Sequence, residues 1–144
     1  MDFVRPIYED DGDRANEQRL KSLLEKKWDV HLTKIPKSYH ADFFASRKGK
    51  IVSFVEIKVR SISIKKYDSY MISLMKIVGI LNYTERINIP CFLFIQWSDA
   101  MGYIKITNEI IKDVRMQSVN FRNDPNDLEP CVHIPISDFK PFNP

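Results

Sequence analysis

The chain lacks any long hydrophobic run: its 144 residues contain no stretch of about eighteen uninterrupted apolar residues. Its first residues, Met-Asp-Phe-Val-Arg-Pro, are followed by acidic residues, where a signal peptide needs an apolar segment. These absences argue against a membrane span and against a secretion signal. We therefore expect a soluble, intracellular protein with no membrane partner.

Cysteine is scarce, and Cys91 and Cys131 have neither a neighbouring cysteine nor a closely spaced histidine. A CxxC zinc site or redox pair therefore has no support, and reduced, buried thiols are expected. The histidines, His31, His40 and His133, lack the HxH or HExxH spacing of histidine-based metal sites. Metal chemistry, if present, must use oxygen ligands.

Glycine is also scarce, with four residues, whereas 44% of the residues are apolar and 28% are charged. This composition is typical of an ordinary folded protein and excludes disordered and fibrous classes. A chain of this length can bury a sizeable core without disulfides or a structural metal. We expect one domain, residues 1–144, with its core over about 13–107 and a C-terminal extension over about 108–144.

The net charge of +3 is only mildly basic, but the basic residues are unevenly distributed. Between Arg47 and Lys66 the chain carries seven basic residues against one acidic residue, Glu56. Such a run is often no more than a solvated face, and a surface for nucleic-acid phosphates is the alternative.

Hydrophobic spacing predicts the order helix, three strands, helix, two strands. The first helix should begin after Asp13, a good N-cap, and end near Lys27 with Leu20, Leu23, Leu24 and Trp28 facing inward. The later elements are a strand near 30–35, strands at 41–46 and 51–59, a helix at 67–84 with Met71, Leu74, Met75, Val78 and Leu81 inward, and strands at 91–97 and 103–107. A short helix over 108–117 and a last strand over 131–136 complete the prediction.

Strand alternation places Glu56 and Lys58 on the same face as Val52 and Phe54, while Val55, Ile57 and Val59 line the other face. An acid and a lysine in a strand that is apolar on both sides are costly to bury unpaired. A mutual salt bridge is the simplest compensation.

The hairpin register decides whether Asp42 joins this pair. A three-residue loop of 48–50 places Asp42 directly opposite Glu56, and a loop of 47–49 places it diagonally on the same face. A two-residue loop would turn Asp42 away. Because like charges across a sheet repel, an Asp42–Glu56 pair makes sense mainly with a cation between them, and Mg²⁺ or Mn²⁺ fits better than zinc.

A third acid, Glu17, precedes Leu20 by three residues and Leu24 by seven, so it shares the inward face of the first helix. A carboxylate there needs a partner. The alternative is that Glu17 only stabilises the helix N-terminus through the macrodipole.

The full set of residues resembles the PD-(D/E)xK nuclease superfamily, which includes Holliday-junction resolvases, phage endonucleases and many restriction enzymes. The resemblance covers about residues 13–107 and rests on Glu17, on Asp42 in His-Ala-Asp-Phe-Phe, and on the Glu56-Ile57-Lys58 tripeptide. Ala41 stands where the name has proline, a position that varies widely. The implied fold class is α/β, a restriction-endonuclease-like αβββαβ core with a mixed central sheet flanked by helices.

The resemblance also implies roles for these residues. Asp42, Glu56 and the backbone carbonyl of Ile57 would hold Mg²⁺, for which Mn²⁺ could substitute, with Glu17 as a direct or water-mediated ligand. Lys58 would orient or help deprotonate the attacking water and stabilise the phosphate transition state. Phosphodiester hydrolysis needs this combination of cation, activated water and charge neutralisation.

DNA is the expected partner, since a duplex is held chiefly through its phosphates. The candidate phosphate contacts are Arg14, Arg47, Lys48, Lys50, Arg60, Lys65, Lys66 and Lys76. The likeness to small dimeric junction resolvases implies a homodimer and a branched substrate, a Holliday junction or flap. A generic phage nuclease that cuts duplex or flap DNA is an equal alternative, and a catalytically inactive nucleic-acid-binding or assembly module is the rival from another class.

Overall fold

The computed structural model describes residues 11–36, 41–118 and 128–144, with side chains from residue 15 onward in the first helix. The elements are α1 (Asp11–Trp28), β1 (His31–Lys34), β2 (Phe43–Arg47), β3 (Lys50–Val59), β4 (Ser69–Ser73), α2 (Leu74–Ile87), β5 (Cys91–Gln96), β6 (Met101–Lys105), β7 (Val114–Ser118), β8 (Leu128–Pro135) and β9 (Lys140–Pro141). Short 3-10 helices lie at Asn108–Ile110 and Ile136–Asp138.

The central sheet has six strands in the order β1-β2-β3-β5-β6-β9. Its central pair, β3 and β5, is parallel, and the other neighbours are antiparallel. Helix α1 packs on one face, where Leu20 and Leu24 meet Val55 and Ile57. Helix α2 covers the opposite face. The predicted α/β fold, a mixed central sheet flanked by helices, is confirmed.

A second sheet, β4-β8-β7, is antiparallel and packs on the α2 side of the molecule. Its Tyr70, Ile72 and Ile134 share one hydrophobic cluster with Ile77 of α2 and Leu93 of β5. The C-terminal strands therefore contribute to the same core as the central sheet.

The helix predicted over 67–84 is wrong in its first part, because residues 69–73 form strand β4. Tyr70 and Ile72 are buried in alternation, and β4 pairs along its length with β8. Pairing with a strand distant in sequence overrides the helical spacing here. The helix predicted over 108–117 is also wrong, since only residues 108–110 are helical and strand β7 begins at Val114.

The inward face of α2 also differs from the prediction. Met75 and Val78 are 71% and 44% exposed, whereas Ile77, Ile80 and Leu81 are buried. The buried face is the predicted one shifted back by about one residue, since Ile77 and Ile80 are buried where Val78 and Leu81 were expected to lead.

The hairpin between β2 and β3 has a two-residue loop, since Arg47 pairs with Lys50. Lys48 and Gly49 both have positive φ, 53° and 78°, as tight hairpin turns require. The three-residue loops considered from the sequence are therefore wrong.

A β-bulge follows immediately. Ser46 pairs with Ile51 but Ala45 pairs with Ser53, so Val52 is an extra residue in β3. The bulge shifts the register by one residue. The shorter loop alone would turn Asp42 away from the face of Glu56, and this shift returns Asp42 to that face.

Smaller expectations have mixed outcomes. Helix α1 begins at Asp11, so Asp13 lies inside its first turn and is not the N-cap. Cys91 and Cys131 are free and buried, as predicted. His40 lies outside the described residues. None of the described helices is long and apolar enough to cross a membrane.

Candidate active site

Asp42 and Glu56 meet on one face of the central sheet. The backbone N–H of Asp42 donates to the carbonyl of Val55 at 3.2 Å, and the N–H of Ile57 donates to Asp42 Oδ2 at 2.8 Å. The Asp42 carboxylate is therefore fixed against the backbone that carries Glu56. A two-residue loop alone would have turned Asp42 away, and the bulge at Val52 restores the shared face.

Glu56 is the most unusual group of the site, because its side chain is 0% exposed. Within the described parts of the chain, neither of its carboxylate oxygens has a hydrogen bond of normal geometry. Burial first, and then the charge of Asp42, raise the pKa of Glu56 to about 7, while Lys58 and Lys76 oppose the rise. Near neutral pH the buried carboxyl group is thus close to equally protonated and ionised.

Two lysines lie at ion-pair distance from this carboxyl group. Lys58 Nζ is 3.5 Å and Lys76 Nζ is 3.2 Å from Glu56 Oε1. The salt bridge between Glu56 and Lys58 expected from their strand spacing is present. Lys76, which the sequence indicated only as a phosphate contact, comes from α2 to the same oxygen. Its position one turn before the buried Ile80 was the available signal that it points inward.

Glu17 has a different partner. Its Oε1 accepts a hydrogen bond from Lys34 Nζ at 2.6 Å, and both side chains are partly exposed. Lys34 Nζ also lies 5.1 Å from the centre of the Phe43 ring. Among the described residues, no three Asp, Glu, His or Cys side chains lie close enough to hold a metal together. The structure therefore brings Asp42, Glu56, Lys58 and Lys76 together and leaves Glu17 bound to Lys34.

The basic residues that follow β3 lie at the same end of the strand as Lys58. Arg60 donates to the Tyr70 hydroxyl at 2.8 Å and stacks on its ring, whereas Lys65 and Lys66 are exposed. Lys66 Nζ lies 5.6 Å from the centre of the Tyr67 ring, and both lysines are accessible to solvent.

The hairpin residues lie elsewhere. Lys48 and Lys50 are exposed at the opposite end of β3, and six residues at about 3.3 Å each separate Lys50 from Glu56 by about 20 Å. Arg47 donates through Nε and Nη2 to the carbonyls at the end of α1, at 3.0 and 2.7 Å, so it caps that helix. The side chain of Arg14 lies outside the described part of the chain.

Comparisons with known proteins bear on the family and the fold of the chain. A family model described as phage putative PDDEXK endonuclease matches residues 3–142, and the comparison with curated proteins gives no match. The chain is similar to Hjc, a Holliday junction resolvase from Archaeoglobus fulgidus, with 10% identity, a TM-score of 0.55 and 87% of each chain covered. A nuclease from a fusselovirus gives 14% identity and a TM-score of 0.48 over 94% of this chain and 90% of that one.

These findings confirm two predictions made from the sequence. The match over most of the chain confirms the resemblance to PD-(D/E)xK nucleases, and the similarity to Hjc confirms the restriction-endonuclease-like fold. At 10% identity that second comparison concerns the fold alone.

Proposed function

Since this chain belongs to the phage putative PDDEXK endonuclease family, we propose that it is a Mg²⁺-dependent DNA endonuclease that hydrolyses phosphodiester bonds. The reaction takes place at Asp42, Glu56, Lys58 and Lys76. The observation that carries this proposal is the Glu56 carboxyl group, fully buried beside Asp42, whose two oxygens lack hydrogen bonds of normal geometry among the described residues.

The donor set of this site fits a hard divalent cation. The buried Glu56 carboxylate lacks hydrogen bonds of normal geometry and faces the charge of Asp42, and a bound cation offsets both the repulsion and the lost hydration. Mg²⁺ commonly uses one or two carboxylates and keeps several waters, so a third acid is not required. Asp42 and Glu56 would hold the ion, with the Ile57 carbonyl as a further oxygen ligand. Mn²⁺ could substitute.

The cation would act as a Lewis acid on the scissile phosphate and lower the pKa of an attacking water. The N–H of Ile57 holds the Asp42 carboxylate in place before substrate arrives. Lys58 orients the attacking water through Nζ and stabilises the negative charge that builds on the phosphate. Lys76, on the same carboxylate oxygen, adds a second positive charge at this point.

Glu17 enters the proposal as an outer participant. Its Oε1 accepts a hydrogen bond from Lys34, and among the described residues it does not group with Asp42 and Glu56 in a set of three metal-ligating side chains. The family resemblance implies a direct or a water-mediated role, and we assign Glu17 to the water-mediated one.

The substrate proposed is DNA, with branched forms such as a Holliday junction or flap as the finer prediction. Arg60, which donates to the Tyr70 hydroxyl, follows Lys58 by two residues, and the exposed Lys65 and Lys66 follow it in the chain as further proposed phosphate contacts. A homodimer remains a prediction, which light scattering of the purified protein tests directly.

A catalytically inactive nucleic-acid-binding module is the second candidate, and one observation favours it. Lys58 and Lys76 already lie at ion-pair distance from Glu56, and two ammonium groups can neutralise a buried carboxylate without a metal. The same residues would then form a structural ion cluster.

Cleavage of labelled linear, flap and four-way-junction DNA with Mg²⁺ or EDTA separates the two candidates. We expect Mg²⁺-dependent cleavage by the wild type and none by Asp42→Asn or Glu56→Gln, because each variant removes a carboxylate charge. Glu109→Gln, an exposed acid in a short 3-10 helix, is the matched control and should cleave normally.

Isothermal titration with Mn²⁺ supplies an independent readout. An active site should bind Mn²⁺ in the wild type and lose binding in both carboxylate variants. Absence of Mn²⁺ binding and of cleavage in the wild type would establish the inactive module instead.

A further inference from the structure

An aromatic cleft of about 430 Å³ lies on the α1 face of the central sheet, beyond the point where α1 ends. The cleft lies outside the site just described, and Arg47 of the basic hairpin lines it. Its lining includes the aromatic residues Trp28, Phe92 and Tyr103, the basic residues Arg47 and Lys140, and Ser53 of β3.

Three of these residues are aromatic and only partly buried. The Trp28 ring centre lies 5.6 Å from that of Tyr103 and 6.2 Å from that of Phe92. Helix α1 ends at Trp28. The sheet surface around Phe92 and Tyr103 therefore lacks the helical cover that Leu20 and Leu24 provide earlier in α1. The cleft therefore offers aromatic surface to a ligand.

The charge of the cleft is positive. Arg47 and Lys140 line it, and none of the described lining residues is acidic. Lys48 and Lys50 are exposed in the adjoining hairpin. Aromatic side chains that stack on bases, beside cations that contact phosphates, are the combination by which proteins hold single-stranded nucleic acid.

The cleft is separated from the carboxyl groups by the sheet itself. Ser53 lies three residues before Glu56 in β3, and residues an odd number apart in a strand point to opposite faces. A nucleotide in the cleft therefore cannot supply the phosphate that reacts at Glu56. It belongs to another segment of the nucleic acid.

We propose that this aromatic cleft binds an unpaired nucleotide of single-stranded DNA. The base stacks on the solvent-accessible part of the Trp28, Phe92 and Tyr103 rings, and the flanking phosphates contact Lys140 and Lys50. The choice of DNA as ligand rests on the proposed function, whereas the cleft itself lies apart from the reaction site. This second site accounts for a basic hairpin about 20 Å from the carboxyl groups.

Intrinsic fluorescence provides the test, because the chain has two tryptophans and Trp97 is 4% exposed. In a Trp97→Phe background the emission reports Trp28 alone. The probes are an oligothymidylate of about twelve residues and an abasic oligonucleotide of equal length, both in EDTA. We expect the oligothymidylate to quench Trp28 and to bind about tenfold or more tightly than the abasic strand, since only stacking distinguishes them.

Paired variants locate the effect. Phe92→Leu should weaken oligothymidylate binding by about tenfold and leave abasic binding unchanged, whereas Phe44→Leu, on the other face of the sheet, should change neither. Lys140→Gln should weaken both probes, and Lys112→Gln, an exposed lysine before β7, neither. Thermal melting of each variant confirms that it is folded.

Equal affinity for the two probes, or binding without quenching of Trp28, would overturn the proposal. Quenching that rises with protein concentration in the absence of oligonucleotide would also overturn it and assign the cleft to a second copy of this chain. The outcome is independent of catalysis, because Glu56→Gln should abolish cleavage and retain the quenching. If the wild type shows no cleavage but Trp28 is still quenched, only the proposed function is rejected.

Discussion

The two ends of β3 differ in whether their charged side chains are buried or exposed. Toward its C-terminal end, Glu56 is fully buried and two lysines lie within 3.5 Å of its Oε1. At its N-terminal end, Lys50 is exposed and is followed by Ile51 and Val52, themselves 45% and 36% exposed. Buried charges interact strongly and shift pKa values, whereas solvated charges contribute little to stability and are screened by salt. Chemistry is therefore expected at the first end and ligand attraction at the second.

The sharpest test of the buried end is the pH dependence of stability in EDTA. The pKa of Glu56 is about 7 in the folded protein against an ordinary value of 4.5. Between these values the folded state holds a proton that the unfolded state releases, so wild-type stability should fall as the pH rises from about 4.5 to about 7. Glu56→Gln cannot titrate, so it should gain about 3 kcal/mol relative to wild type between pH 4 and pH 8.

Urea unfolding at both pH values measures that difference. A gap between wild type and Glu56→Gln that does not change with pH would show that burial leaves this carboxyl group unperturbed. Glu109→Gln, at an exposed position, should track the wild type throughout.

Substitution of Lys58 distinguishes an active nuclease from an inactive protein that still binds metal. Replacing Lys58 with Met keeps length and apolar bulk but deletes the ammonium charge, so Mn²⁺ and DNA binding should change little. Single-turnover cleavage should fall by about a hundredfold or more, the usual loss when one group that stabilises a transition state is removed. Lys58→Arg should rescue poorly because its charge is spread over a planar fork. Wild-type rates in Lys58→Met would remove Lys58 from the mechanism.

Lys76 should show a smaller effect of the same kind. Its Nζ lies 3.2 Å from Glu56 Oε1, but it reaches the site from α2. We expect Lys76→Met to lower single-turnover cleavage by about tenfold, as for a supporting charge, with DNA affinity within about threefold of wild type. The exposed Lys112 gives a matched control as Lys112→Met. If Lys76→Met weakens DNA binding and leaves the rate at saturating enzyme unchanged, Lys76 is a phosphate contact, as first predicted from the sequence.

The exposed end should give the smallest effect on chemistry. Lys48→Asn with Lys50→Gln removes two charges, and asparagine tolerates the positive φ at position 48. If both lysines contact duplex phosphates, the slope of log affinity against log salt should become shallower by about two. The single-turnover rate should not change. Arg47 is left intact because its guanidinium caps α1. An unaltered slope would show that this loop does not meet the backbone of the duplex.

The sequence predicted those parts of the structure that follow from local patterns. The face shared by Glu56 and Lys58, the inward Leu20 and Leu24 of α1, and the buried strand β5 all follow from alternation or helical spacing. Hairpin register and helical spacing indicated Asp42 and Glu17 as candidates, and the family resemblance added the fold class and the roles expected of these residues. Roles for the individual site residues stay predictions until they are tested by cleavage.

Three of the contacts that the sequence analysis missed share a different cause, which is pairing between residues distant in sequence. Strand β4 looked helical because its partner, β8, lies far along the chain. Lys76 was not recognised at the carboxyl group, since its neighbour there is a strand residue twenty positions earlier. The ion pair between Glu17 and Lys34 likewise joins a helix to a strand edge. The helical or strand periodicity of the local sequence does not predict such contacts.

Because side chains alternate between the faces of a strand, Asp42 and Glu56 share a face only if the hairpin between them contains the right odd or even number of residues. The extra residue Val52 in the bulge sets that number. Removing Val52 while keeping the two-residue turn would send every side chain on one arm of the hairpin to the wrong side, and the two acids would end up with the sheet between them. A single exposed valine that touches neither acid thus acts as a spacer. Relatives of this chain can vary the turn by one residue only if they gain or lose a spacer to match.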